Sequence, residues 1–211
     1  MEAKLKLSKQ WILFGAVSGI MSILIFPILL FIPFPTYIEI FLAGIFGILF
    51  SLIGIAIHHT MKYEKETIIT QLGAIFILIA GIIFNLMLMI QQTFRGYLNS
   101  FINNTNNEQD QILLDWIRKT VDPVHLGLQI SNDFFTGIAM ILFSIAMFNH
   151  KYFGKVYGIT GILIGVVLII IKCYAFPLTP QEIGIPYFLA PLICLWFFAV
   201  CVQCLRVKSK L

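Results

Sequence analysis

The sequence predicts an all-α fold, a polytopic membrane bundle of six transmembrane helices. Hydrophobic residues make up 59% of the chain and charged residues 11%, whereas soluble domains carry about 25% charged residues. The mean hydropathy is +0.94. Six apolar runs, each near the roughly 20 residues that a helix needs to cross a bilayer, use nearly all of the 211 residues. We therefore expect residues 1–211 to form a single transmembrane domain.

The six predicted spans are joined by short connections except at one place. Their approximate bounds are 11–34, 38–57, 68–90, 123–149, 153–173 and 185–205, with an outer loop at 92–122. The first run is too long for the apolar core of a signal peptide and lacks a small-residue cleavage site, so we interpret it as a retained helix.

The basic residues predict the orientation of the chain. Four of the 14 lysines and arginines fall on the side opposite to the chain termini, namely Arg95, Arg118, Lys119 and Lys172, which leaves ten on the side of the termini. Because cytoplasmic loops carry the excess of Lys and Arg, we expect the N- and C-termini to be cytoplasmic. The net charge of +4 arises mainly at these helix ends and does not indicate a nucleic-acid partner.

The fourth predicted span is the one whose polar residues form a pattern. Asp122-Pro123 combines a helix N-cap with proline at the first helical position, which predicts a helix start. At about 100° per residue, five polar residues fall on one third of this helix: His125, Gln129, Asn132, Asp133 and Thr136. Polar groups in hydrocarbon need partners inside the protein, so we expect this stripe to face the bundle interior or a watery cavity.

Two polar residues on other spans are candidate partners of the stripe. Asn85 on the third span is equally well interpreted as a bond between helices and as a ligand contact. Lys172 lies near the outer end of the fifth span, where we expect it to snorkel to the headgroups, with an inward contact to Asp133 or Glu39 as the alternative. We expect Asp133 to lie inside the bundle within hydrogen-bonding reach of a polar side chain, with Asn85 and Lys172 as the candidates.

The outer loop has helical periodicity of its own. Apolar residues recur at i, i+3, i+4 and i+7 spacing before and after a polar break at 103–107. This pattern predicts a helical extension, a turn and an amphipathic outer helix between the third and fourth spans. The amphipathic helix either caps the bundle or serves only as a surface anchor.

Small and sulfur-containing residues predict packing rather than chemistry. The second span carries Gly44, Gly47, Ser51 and Gly54, and the fifth carries Gly154, Gly158, Gly161 and Gly165. Such seams let helix backbones approach closely. The Cys201 and Cys204 pair lies within a helix, without a second pair or a histidine nearby, so we interpret these cysteines as packing residues and predict no metal site. No motif assigns a cofactor.

The chain from about 122 to 205 resembles an uncharacterised group of small prokaryotic six-helix membrane proteins, of the kind classed as domains of unknown function. The resemblance rests on Asn132-Asp133-Phe134, His150-Lys151-Tyr152-Phe153-Gly154, Phe176-Pro177-Leu178-Thr179-Pro180 with Gly184, and Pro191 with Leu195-Trp196. It implies a prokaryotic origin and a six-helix architecture, and it carries no activity to transfer. We expect a multi-pass protein of the cell membrane, in a prokaryote the plasma membrane.

Three functions fit these observations. The first is binding or transport of a small molecule in an outward-facing pocket, with 94–121 as a lid and six ligand-binding residues: Asn85, His125, Gln129, Asn132, Asp133 and Lys172. The second is a structural or accessory subunit without a ligand. The third is a membrane enzyme with His125 or Asp133 as general base, although no Ser or Cys partner is well placed. The expected partners are the lipid bilayer, a small-molecule ligand, and a membrane partner subunit or a second copy.

Overall fold

The structure, a computed structural model, describes residues 2–102, 108–185 and 189–210, which are helical apart from short connections. The helices are α1 (Glu2–Phe31), α2 (Thr36–Met61), α3 (Ile68–Ile102), α4 (Glu108–Met147), α5 (Gly154–Ala175) and α6 (Leu189–Lys210). Each contains a stretch long and apolar enough to cross a membrane. The predicted all-α bundle of six helices is confirmed.

Helix α2 lies at the centre of the bundle. It packs against α1, α3, α4 and α6, while α5 packs mainly against α4, and α1 also contacts α6. We call the end of the bundle with the start of α1 and the end of α6 the terminal end, and the opposite end the hairpin end. At the terminal end the Ser8 hydroxyl lies 2.9 Å from His59 Nδ1, and the His58 ring bonds the Thr70 hydroxyl at 3.1 Å. These contacts tie α1, α2 and α3 together.

The surface of the bundle is that of a membrane protein. Large apolar side chains that are about half exposed cover its outside, among them Phe14, Ile48, Leu163, Ile170 and Leu195. In a soluble protein such a surface would be a large apolar patch that water disfavours. With six apolar helices and this surface, the chain is a multi-pass membrane protein.

Helices α3 and α4 differ from the sequence prediction. They contain 35 and 40 residues, whereas α5 and α6 contain 22 each. At about 1.5 Å per residue, α3 reaches roughly 20 Å further than α5. The helix start predicted at Asp122 is therefore wrong, because α4 begins at Glu108 and continues through Pro123. The loop predicted at 92–122 is helical over 92–102 and 108–122, and the turn predicted at 103–107 lies outside the described residues.

Apolar residues on the extensions of α3 and α4 face each other, and this contact explains why α4 continues through Pro123. An apolar groove of about 700 Å³ between the two extensions is lined by Phe94, Tyr97 and Leu98 on α3 and by Ile117 and Val121 on α4, among others. Proline in a helix interior costs one hydrogen bond and about 3 kcal/mol, which contacts along two helices can offset. The amphipathic helix that the sequence predicts is thus the first part of α4 rather than a separate element.

The other helix bounds differ by a few residues. Helix α1 begins at Glu2 rather than near 11 and ends at Phe31, and α6 begins at Leu189. Ile185, the predicted start of the last span, is not helical, and residues 186–188 lie outside the described part of the chain.

Glycine seams set the closest helix contacts, as predicted. On α2 and α3, a Cβ atom at Gly81 would overlap Ser51 Oγ and the Gly47 carbonyl. On α5, Cβ atoms at Gly161 and Gly165 would meet side-chain or backbone atoms of α4. Gly154 differs from these, since its φ is +73° and none of the described residues comes within 4 Å of an added Cβ. Its role is a left-handed backbone conformation at the start of α5.

Replacing Gly81 by alanine should separate α2 from α3. The added methyl group overlaps backbone and side-chain atoms of α2, and overpacking of this kind costs about 1–3 kcal/mol. We expect a lower thermal unfolding midpoint in detergent. Gly127→Ala is the matched control, because no atom of the described residues lies within 4 Å of a Cβ there, and alanine favours a helix by up to about 1 kcal/mol. Equal midpoints for both variants would contradict the close contact.

A buried histidine joins two connections at the terminal end. Glu64 Oε2 accepts a hydrogen bond from the Lys151 backbone N–H at 2.9 Å and lies 3.3 Å from His150 Nε2. Burial lowers the pKa of His150, and the nearby Glu64 carboxylate opposes this effect only in part. The folded protein therefore favours neutral His150.

This pKa shift predicts a pH dependence of stability. Because the pKa of His150 is lower in the folded protein, the unfolded chain takes up the proton first, and stability falls as pH drops below about 6.5, the ordinary histidine pKa. We expect the unfolding midpoint of His150→Gln to depend less steeply on pH than that of the wild type between about pH 7 and 5. Since His58 and His59 remain in both proteins, the difference isolates His150. Parallel profiles would contradict the assignment.

Candidate functional site

The polar stripe of α4 faces inward where the helix crosses the bundle. Asn132, Asp133 and Thr136 are 5%, 6% and 3% exposed, while His125 and Gln129, closer to the hairpin end, are partly buried. The predicted direction of the stripe is therefore confirmed for its inner part. The burial increases toward the middle of the bundle, where α4 packs against both α3 and α5.

Asp133 forms an ion pair with Lys172 of α5. Asp133 Oδ2 lies 2.7 Å from Lys172 Nζ, and Lys172 is only 2% exposed. This confirms that Asp133 lies inside the bundle within reach of a polar side chain. The expected snorkelling of Lys172 to the headgroups is wrong, and the inward alternative is the one observed.

The glycine seam explains why Lys172 points inward. Gly158, Gly161, Gly165, Leu168 and Lys172 are all buried on α5. Their spacing of three, four, three and four residues places them on one side of a helix. Because that side packs closely against α4, the lysine that continues it meets Asp133 rather than lipid. The sequence contained this signal, since Lys172 follows Gly165 by seven residues.

Pairing makes two buried charges tolerable in hydrocarbon. A single charged side chain at mid-membrane costs about 2.5 to 3.5 kcal/mol on insertion scales, and the pair has no net charge. Asn132 Nδ2 also donates to Asp133 Oδ1 at 3.4 Å, a long and weak bond. The Asp133–Lys172 pair thus fixes α4 against α5 and orients Asn132 beside it.

A small cavity opens beside this pair, in the half of the bundle nearer the hairpin end. Its volume is about 70 Å³. The polar lining residues are Asn132, Asp133 and Thr136, and the apolar ones are Phe26, Phe46, Phe50, Phe84, Ala190, Ile193 and Cys194. Five helices contribute to the lining, and α5 supplies Lys172 to the Asp133 carboxylate from outside it. We call this space the central cavity.

Two polar atoms at the central cavity are left without a protein partner. Within the described part of the chain, Asn132 Oδ1 and Thr136 Oγ1 are buried and make no hydrogen bond. By contrast, Thr60 and Thr160 each donate to the carbonyl four residues earlier, at 2.7 Å. An unsatisfied buried polar group costs about 1–3 kcal/mol. Both atoms belong to residues that line the central cavity.

Three residues of the predicted ligand-binding set lie elsewhere. The Asn85 amide faces α2: in the amide orientation that satisfies its hydrogen bonding, the nitrogen donates to the carbonyls of Ala43 and Gly44 at 3.0 and 2.8 Å. Asn85 thus links α3 to α2 by hydrogen bonds, which is one of the two interpretations that its position allowed. His125 precedes Asp133 by eight residues, roughly 12 Å along the helix, and neither His125 nor Gln129 is among the described lining residues.

The predicted lid does not reach the central cavity. No described residue of 94–121 belongs to its lining, because this segment extends along the helix axes away from the bundle. The cavity is instead enclosed by four phenylalanines that sequence reasoning did not single out: Phe26, Phe46, Phe50 and Phe84. The chain contains 20 phenylalanines, and only helix packing distinguishes these four from the rest.

A second and larger cavity adjoins the first. It has a volume of about 640 Å³, lies between α1 and α6, and is lined by apolar residues that include Ile23, Leu24, Phe31, Pro191, Leu195 and Phe198. Phe26, Ala190 and Cys194 line both this α1–α6 cleft and the central cavity. The two spaces therefore lie side by side and share part of their lining.

The cysteines and acidic residues that the structure describes do not form a cluster that could bind a metal ion. Cys201 and Cys204 are buried in the core of α6, in agreement with their interpretation as packing residues. Among the described residues, no group of three or more His, Cys, Asp or Glu side chains is placed to hold a metal ion.

Comparisons with protein-family models, with curated proteins and with solved structures found no match. The resemblance of 122–205 to a prokaryotic membrane group therefore stays a prediction.

A double-mutant cycle tests the Asp133–Lys172 pair. Asp133→Asn leaves Lys172 buried without its counter-charge, and Lys172→Met leaves Asp133 buried without its counter-charge. Breaking a buried ion pair in this way costs about 3–5 kcal/mol. The double variant removes both charges, so we expect it to be less destabilised than the sum of the two single variants in detergent unfolding.

The exposed pair of Lys119 and Asp115 provides the matched control for this cycle. Its atoms also lie 2.7 Å apart, but both side chains are more than half exposed. Asp115→Asn should change stability little. Additive effects of the Asp133 and Lys172 substitutions would contradict a direct interaction.

Proposed function

We propose that this protein binds a small molecule in the central cavity, as a binding or transport protein. The observation that carries the proposal is that two residues lining this cavity beside the Asp133–Lys172 pair, Asn132 and Thr136, each hold a buried polar atom without a protein partner, Asn132 Oδ1 and Thr136 Oγ1. In hydrocarbon no bulk water satisfies such atoms. A ligand with a polar group would satisfy them.

The composition of the cavity supports this proposal. Small-molecule sites are mostly apolar, with a few polar groups that fix the orientation of the ligand. Here phenylalanine side chains supply the apolar walls, and Asn132, Asp133 and Thr136 supply the polar groups on one side. The ion pair holds Asp133 and its neighbour in place, so the polar side is organised before a ligand arrives.

We further propose a cellular setting for this binding. The excess of basic residues on the side of the termini favours a cytoplasmic location for both termini. The hairpin end, and with it the central cavity, then lies in the outer half of the membrane. A prokaryotic plasma membrane is the membrane that we propose.

A structural or accessory subunit is the second candidate. Two observations favour it: the Asp133–Lys172 pair by itself stabilises the contact of α4 with α5, and the apolar groove along the extended α3 and α4 offers a surface to a membrane partner subunit or a second copy. In this candidate, water molecules in the central cavity would bond the unpartnered atoms of Asn132 and Thr136, since a space of about 70 Å³ accommodates a few of them.

Native mass spectrometry of the protein purified in mild detergent tests the proposal. We expect a small molecule retained by the wild type and lost from Thr136→Val, which removes the hydroxyl but leaves the size of the side chain and the ion pair unchanged. The loss of one hydrogen bond, about 1.4 kcal/mol, weakens the affinity about tenfold.

Thr160→Val is the matched control for this experiment. Thr160 is exposed on α5 and bonds its own helix backbone, so the variant should retain the molecule as the wild type does. If no molecule is retained and no member of a metabolite panel changes the unfolding midpoint, the structural role replaces the binding role.

A further inference from the structure

We infer that the ligand is a neutral, hydroxyl-bearing amphiphile with a single hydrocarbon chain, which enters from the bilayer between α1 and α6. This inference rests on the proposed function and names its substrate class. The hydroxyl end occupies the central cavity, and the chain occupies the α1–α6 cleft.

The sizes of the two spaces indicate which part of the ligand each one holds. The central cavity holds about 70 Å³, far below the roughly 300–1,000 Å³ of most small-molecule sites. It accommodates a few water molecules or one polar group, but not a complete organic ligand. The α1–α6 cleft, at about 640 Å³, lies within the usual range.

The shared wall joins the two spaces into one elongated site. Phe26 of α1 and Ala190 and Cys194 of α6 line both. A rotation of the Phe26 side chain or a small separation of α1 from α6 would connect the two spaces. The lining of the cleft is almost entirely apolar, which suits a hydrocarbon chain and disfavours a charged or polar one.

The polar atoms specify a hydroxyl head. Asn132 Oδ1 accepts hydrogen bonds only, whereas the Thr136 hydroxyl both donates and accepts. A ligand hydroxyl can donate to the first and bond the second. A carboxylate cannot donate to Asn132 Oδ1, and it would add a negative charge near Asp133.

The ion pair argues against a cationic head. Asp133 is already neutralised by Lys172 at 2.7 Å, so the site has no net negative charge left for an ammonium group. Burying an uncompensated charge costs far more than burying a hydroxyl that has two partners. Charge and hydrogen bonding therefore both favour a neutral alcohol.

Photolabelling in phosphatidylcholine vesicles tests this inference. The probe is hexadecan-1-ol that carries a diazirine in its chain and a terminal alkyne. We expect labelled peptides from residues 23–31 of α1 and 189–198 of α6. An excess of unlabelled hexadecan-1-ol should reduce this labelling at least fivefold, and hexadecanoic acid or hexadecyltrimethylammonium should not. This competition uses the wild type alone and needs no variant to fold.

Two tryptophan substitutions on α6 sharpen the test. Cys194→Trp fills the shared wall and should abolish the competable labelling. Leu192 is 45% exposed and lines neither space among the described residues, so Leu192→Trp should keep the labelling. Unfolding midpoints of both variants show whether each is folded.

The outcomes separate this inference from the proposed function. Labelling that all three competitors reduce equally, or that none of them reduces, contradicts the inference that the ligand is a neutral amphiphile. If the molecule retained in native mass spectrometry depends on Thr136 but is charged or water-soluble, the proposed function is supported and the inference of a neutral amphiphile is wrong. Competable labelling that Thr136→Val weakens by about tenfold supports both.

Discussion

The absence of water around the helices is the constraint on which this structure depends. A polar group in hydrocarbon has to find its partner inside the protein, and the charges of Asp133 and Lys172 do so by meeting at 2.7 Å. Their contact lies on the sides of α4 and α5 that face each other. It also brings Asn132 and Thr136 to the interior, where a cavity of about 70 Å³ remains between five helices.

Close backbone packing makes that ion pair possible. A Cβ atom at Gly165 would lie 2.7 Å from the Gly137 carbonyl of α4, so α5 approaches α4 as closely as glycine permits. Trp196 of α6 packs over Gly161 and donates to the Tyr157 carbonyl at 3.2 Å. In lipid, where apolar surfaces gain little from mutual burial, such contacts between small residues are a main source of helix association. The same seam therefore holds α5 in the bundle and directs Lys172 to its partner.

The apolar spaces of the bundle differ in what surrounds them. The groove along the extended α3 and α4 is lined by residues of one helix pair beyond the length of α5. The α1–α6 cleft lies within the length of the bundle, against the central cavity and its polar side. Of these two spaces, as the described residues line them, the cleft is the one that combines room for a hydrocarbon chain with nearby hydrogen-bonding atoms that lack a protein partner. This combination connects the lipid-facing surface to the buried polar residues.

The sequence by itself determined the helices, their number and the inward direction of Asn132, Asp133 and Thr136, because hydrophobic length and a period of 3.6 residues are local properties. It misjudged Pro123, since the local signal for a helix start is weaker than packing of α4 along α3. Only the tertiary structure decided that Asp133 meets Lys172, that Asn85 bonds α2, and that Phe26 and Phe84 enclose the cavity. These facts depend on how six helices rotate against one another, and that rotation is set by contacts between residues far apart in the chain.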